Sequence, residues 1–128
     1  QIDEFHPHSF YISRYPMGRE ATISWPDVDQ KFTNTTKGGI IIKTKVDADS
    51  ITVTFYGRKT YDVEATLGPR INITAPKTIH DTSAGCVPQS PSDGFDVTVG
   101  RILKQDGKVV KSSSFTTHYI PEDLVICG

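Results

Sequence analysis

Apolar and polar positions alternate with a period of two in two parts of this chain. In residues 40–46, Ile40, Ile42 and Val46 share one face, while Lys43 and Lys45 share the other. In residues 51–56, Ile51, Val53 and Phe55 fall together. Such alternation in β-branched and aromatic residues is the signature of a half-buried strand. Between them lies the polar loop Asp47-Ala48-Asp49-Ser50, so the pair is predicted as a hairpin. Further along, Phe95, Val97 and Val99 alternate with Asp96 and Thr98. Asp106-Gly107 supplies the two positive-φ positions of a tight turn, and the return strand is predicted from about Val109 through Phe115 to Tyr119. Pro121 ends that run because it cannot donate to a ladder.

Elsewhere the pattern is weaker. Residues 21–25, Ala-Thr-Ile-Ser-Trp, read as a strand stopped by Pro26. Residues 68–94 hold Pro69, Pro76, Pro88 and Pro91 with Gly68, Gly85 and Gly94, and read as a loop or linker, most clearly from Gly85 to Gly94. Residues 61–66 are the one short helical candidate. The expected class is all-β, or mostly β, with two small antiparallel β modules in tandem. The first spans residues 1–74 and the second 75–128. Each module alone is small enough to be marginal without a staple.

Composition narrows the function. Lys and Arg total 14 and Asp and Glu 15, for a formal net charge of −1. Proteins that neutralise many phosphates carry a basic excess, so nucleic acid is not an expected partner. No apolar run approaches the roughly 20 residues of a membrane span. The chain opens on Gln1 and its one Met is Met17, which predicts a mature product or a piece of a longer polypeptide. Cys86 and Cys127 form neither a C-x-x-C pair nor a metal-site spacing. They are consistent with one disulfide in an oxidising compartment, or with two separate thiols. No phosphate-loop or dinucleotide fingerprint occurs, so no cofactor and no metal is expected.

Two groups of residues carry candidate chemistry. His6-Pro7-His8-Ser9 places two imidazoles at i and i+2, the spacing for acid–base or ligand work on one side of an extended segment. The ordinary reading of such a pair is an N-terminal coil with two solvated imidazoles. Tyr11 and Tyr15 near the front, and His118 and Tyr119 in the last long strand, offer faces on which a sugar ring can stack. Aromatic residues in such places also serve as ordinary half-buried packing.

The order of several elements resembles the C-terminal half of the VanW family. These are His6-Pro7-His8-Ser9-Phe10, then Gly18-Arg19-Glu20-Ala21-Thr22-Ile23, then residues 26–29, then Lys31-Phe32-Thr33-Asn34-Thr35-Thr36, and a hairpin ending Phe55-Tyr56-Gly57. The likeness covers residues 4–58, with Glu20 where the family usually has Asp. Residues 75–128 resemble a G-five domain in Gly94-Phe95-Asp96-Val97-Thr98-Val99 with Arg101, then Gly107-Lys108-Val109-Val110, Phe115-Thr116-Thr117, Tyr119 and Pro121.

The resemblance implies a bacterial cell-envelope protein, outside the cytoplasm or on the cell surface. It implies peptidoglycan or another N-acetylglucosamine-containing glycan as partner, and a role accessory to cell-wall metabolism or glycopeptide resistance. That setting fits a Cys86–Cys127 disulfide. The family's upstream Cys segment precedes the point where this sequence starts. If Cys–His chemistry belongs to the family, His6 or His8 is the surviving partner here, and these residues alone are expected to be inactive. The rival readings are half of a peptidoglycan-active enzyme and a structural spacer.

Overall fold

The computed structural model describes residues 1–128. It is all-β and contains no helix, so none is long and apolar enough to cross a membrane. Nine strands occur: β1 (Ile2–Glu4), β2 (Lys31–Phe32), β3 (Ile40–Val46), β4 (Ile51–Gly57), β5 (Asp62–Thr74), β6 (Thr78–Asp81), β7 (Gly94–Gln105), β8 (Lys108–Tyr119) and β9 (Leu124–Cys127). They form four small sheets: β1–β2, β3–β4, β5–β7–β8 and β6–β9.

Both predicted hairpins are present. β3 and β4 pair antiparallel from Ile40↔Gly57 to Val46↔Ile51. β7 and β8 pair from Phe95↔Tyr119 to Gln105↔Lys108, and Asp106 (φ 49°) and Gly107 (φ 75°) make the turn. Three expectations are corrected. Residues 61–66 are not helical, because Val63, Ala65 and Leu67 alternate along β5, which pairs antiparallel with β7. The early part of the expected linker is likewise strand, in β5 and β6, whereas residues 85–93 form the expected loop. Gly68-Pro69 falls at a register shift between Leu67 and Arg70, and β5 is an edge strand, where Pro is tolerated. Residues 21–25 in turn form no strand. Ser24 closes a tight turn onto Val28 through a cis Trp25–Pro26 peptide, and no neighbouring strand pairs with the segment.

β6 and β9 pair in parallel, from Thr78↔Leu124 to Asp81↔Cys127. The Cys86–Cys127 disulfide joins the end of β9 to the loop before β7, with Cα atoms 5.8 Å apart. Both sulfurs are thus bonded and no cysteine is free.

The core lies on one face of the three-stranded sheet. Phe95, Val97 and Val99 of β7 and Tyr119 of β8 are essentially inaccessible to solvent, and Tyr11 and Met17 pack against them. The N-terminal segment therefore lies across this sheet, with the Ile120 N–H donating to the Ser9 carbonyl at 2.9 Å. β5, on the N-terminal side of residue 75, pairs with β7 on its C-terminal side. The opposite face of β7 and β8 is polar, with Thr98 bonded to Thr116 and Asp96 to His118.

Candidate functional site

A tight turn seats the N-terminal segment on the core. Arg19 N–H donates to the Pro16 carbonyl at 3.0 Å, and Gly18 sits at φ 71°, a backbone state that glycine adopts at little cost. The glycine is also needed for space. A Cβ on Gly18 would lie 2.8 Å from Val99 Cγ1 and 3.3 Å from Val97 Cγ1. The turn thus brings backbone directly onto the buried valines of β7.

Hydrogen bonds then fix the residues at and after the turn. Gly18 N–H donates to Tyr119 Oη at 2.7 Å, and the Tyr119 hydroxyl donates in turn to Glu20 Oε1. Glu20 Oε2 accepts from Arg19 N–H at 2.9 Å. The carboxylate is buried, yet both its oxygens are engaged, which is the condition for tolerating such burial. Burial, and then the bond to the Glu20 carboxylate, push the Tyr119 hydroxyl well above its ordinary value. The Arg19 guanidinium reaches past the turn and donates to the carbonyls of Thr66 (2.9 Å) and Gly100 (3.0 Å), tying the segment to β5 and β7. Thr22 N–H donates to the His6 carbonyl at 2.8 Å.

These contacts shape an open cleft of about 470 Å³, lined by His8, Tyr15, Arg19, Glu20, Thr22 and Ile23 among others. Tyr15 is 42% exposed, with the Arg14 guanidinium 5.0 Å from its ring centroid. The cleft combines an aromatic face, an imidazole able to donate or accept, and a threonine hydroxyl. That set suits a neutral polyhydroxylated ligand, with the ring for its apolar face and the polar groups for its hydroxyls.

The candidate residues separate into distinct places. His8 and Tyr15 meet in the cleft. His6 does not join them, for its Nε2 lies 3.1 Å from Glu4 Oε1. Glu4 also pairs with Lys31 at 2.5 Å, and the Lys31 bond and then the His6 bond hold the Glu4 carboxyl below its ordinary value. Tyr11 and Tyr119 come together with ring centroids 5.5 Å apart, but as core. Tyr119 is fully buried and offers no face to a ligand. Tyr11 packs edge-on to Phe95 at 5.6 Å, beneath the Arg70 guanidinium at 4.9 Å. His118 projects from the opposite face, where its Nδ1 lies 2.5 Å from Asp96 Oδ1. Asn72 donates to the other oxygen of Asp96 at 2.7 Å. The Asn72 bond and then the His118 bond lower the Asp96 carboxyl below its ordinary range.

Glu20, Arg19, Asp96 and Asn72 were not visible as site residues from the pattern of the sequence. Each depends on a partner 22 or more residues away, apart from the local bond between Arg19 and Glu20.

Comparison with known families bears on the cleft. Residues 1–56 match the model of the family described as VanW like protein. Every residue that lines the cleft falls inside that VanW-like stretch. The stretch runs through β1, β2 and β3 and most of β4 and ends before β5. No curated protein and no solved structure matches the chain.

Proposed function

We propose that the protein works at the bacterial cell envelope, outside the cytoplasm, and binds a peptidoglycan glycan in the cleft of His8 and Tyr15. The observation that carries this reading is that a cleft offering both an imidazole and a half-exposed tyrosine lies wholly within the VanW-like residues. A disulfide between Cys86 and Cys127 is in keeping with an oxidising location. In this reading Tyr15 stacks on a sugar ring, while His8 and Thr22 bond its hydroxyls. The residues from 75 onward serve as a G-five-like β module that shares its sheet with β5 of the 1–74 part, and the whole is accessory to cell-wall metabolism or glycopeptide resistance.

The test is co-sedimentation with purified insoluble peptidoglycan over a salt series. Retention is expected to saturate and to survive salt, because the contacts are stacking and neutral hydrogen bonds rather than ion pairs. Tyr15→Ala is expected to weaken retention by about tenfold, the scale of one lost stacking contact. His8→Ala is expected to act in the same direction. Absent retention, or retention unchanged in both variants, overturns the proposal.

A further inference from the structure

The accessible surface of the chain is 9715 Å². A folded monomer of 14.1 kDa is expected to expose about 6,700 Å². The excess is about 3,000 Å², several times the roughly 800 Å² that each partner contributes to a standard interface.

Many large hydrophobic side chains lie exposed, and one group of them is organised. The β3–β4 register places Ile40, Ile42, Val46, Ile51, Val53 and Phe55 on a single face of the hairpin. Their exposures run from 42 to 73%. The two other positions on that face are Thr44 and Gly57, so it carries no charge. Only Phe55 has an aromatic neighbour, Phe32, at 6.2 Å between centroids. Neither β3 nor β4 pairs with any other strand. A two-stranded hairpin is marginal in water unless a face is covered.

The charges flanking this face are polarised along the strands. The tip carries Asp47 and Asp49, and the base carries Lys37, Arg58 and Lys59. Asp47 is paired with Lys45 and Lys59 with Asp62, whereas Asp49, Lys37 and Arg58 form no ion pair within the chain. Beside the base lies a groove of about 340 Å³, bounded by Ile40, Phe55, Arg58, Lys59 and Val63.

We propose that two copies of the chain associate through this face, hairpin upon hairpin, in an antiparallel two-fold stack that sets the acidic tip of each against the basic base of the other. An uncharged apolar face is complementary to itself, as a two-fold interface requires. Of the two ways to stack identical hairpins, the parallel one sets tip on tip and opposes like charges. The antiparallel one brings Asp49 to Arg58 of the second copy, and by symmetry does so twice. It also carries Val46 and Ile51 toward the groove at the other base. Two sheets so packed form a four-stranded sandwich, which buries the aliphatic residues that one copy leaves in water.

The 128-residue chain is tested by sedimentation equilibrium over a concentration series. The expected species has twice the 14.1 kDa of one chain. Val53→Asp sets an unpaired charge in the stack and is expected to raise the dimer dissociation constant about 100-fold or more. Asp49→Lys and Arg58→Glu, each at an exposed position without an ion-pair partner in the fold, are each expected to raise it about tenfold at low salt. The double variant is expected to restore it, because the reversed pair meets in the same place. Circular dichroism of the exposed charge variants confirms that the fold persists. A monomer at every concentration overturns the proposal and leaves the face to a different polypeptide. A dimer indifferent to Val53→Asp overturns it as well. Failure of the double variant to recover overturns the antiparallel arrangement.

Discussion

Tyr119→Phe removes one oxygen from the point where the N-terminal segment meets the sheet. The hydroxyl bridges two buried groups, accepting from Gly18 N–H and donating to the Glu20 carboxylate. No buried side-chain nitrogen or oxygen in the structure lacks a partner, so nothing nearby stands ready to replace it. Phenylalanine preserves the ring contacts with Phe95 and Tyr11, at 5.0 and 5.5 Å between centroids, so packing changes little. The loss is one acceptor for a backbone N–H and one of two donors to a buried carboxylate. Each buried group left unmade costs about 1–3 kcal/mol, the charged one toward the upper end. The expected loss is therefore about 3 kcal/mol in all. At roughly 3–4 °C per kcal/mol for a chain of this size, the melting midpoint falls by about 10 °C. Urea titration monitored by circular dichroism measures the difference.

Raising the pH gives a second, independent reading of the same contact. The folded Tyr119 hydroxyl has its value raised above the ordinary 10.0, by burial first and then by Glu20. The unfolded chain thus loses this proton before the folded one does. The stabilisation is whole below about pH 10 and is lost as pH climbs from there toward the folded value. Wild type is expected to lose stability over that range by an amount that Tyr119→Phe does not show. A variant within about 0.5 kcal/mol of wild type at neutral pH, with the same alkaline profile, refutes the assignment of Tyr119 as the pin.

Three further outcomes are expected. The Cys86→Ser, Cys127→Ser variant opens a loop of sequence separation 41 and is expected to cost about 4 kcal/mol in urea unfolding, with no free thiol titratable in the unreduced wild type. Gly94→Ala puts a Cβ 2.6 Å from Pro121 N and 2.7 Å from the Tyr119 carbonyl oxygen, so it is expected to destabilise by about 2–3 kcal/mol in thermal melts, since backbone on both sides must shift. Asp96 is held below its ordinary 3.8 by Asn72 and then His118, so its share of stability is present above about pH 4 and lost as pH falls below it; acid unfolding of Asp96→Asn is expected to lack that component.

The elements legible in the sequence are those whose signal is local. Ile40 to Phe55 and Phe95 to Val99 alternate beside a short polar loop or upstream of an Asp-Gly turn, and both hairpins form where those signals put them. β5 was obscured by its own irregularity. Gly68-Pro69 breaks the alternation in mid-strand, and the register shift that absorbs the break is visible only once β7 lies alongside. The β6–β9 pair was hidden for a different reason. Four-residue strands more than 40 residues apart, paired in parallel, leave no local periodicity to read. Ala21 to Trp25 had the right composition for a strand and nothing to pair with.

The same division runs through the site. His8 and Tyr15 are candidates on sequence alone because their chemistry is their own, and the fold sets both on one cleft. Glu20 is bonded to Tyr119, 99 residues later, and the Arg19 guanidinium to carbonyls of Thr66 and Gly100, so neither role is written in the local sequence. The VanW-like residues 1–56 supply no fully buried apolar side chain; all four lie in β7 and β8. The cleft is therefore lined by one part of the chain and held in shape by another. A change at Tyr119, which is fully buried and does not line the cleft, is on this account expected to loosen the wall formed by Arg19 and Glu20 while leaving His8 and Tyr15 chemically intact. Peptidoglycan retention by Tyr119→Phe, measured well below its melting midpoint, then separates the positioning of the cleft from its composition. Weakened retention by a folded variant means that the C-terminal sheet is part of the site's machinery, and undiminished retention means that it is only a foundation.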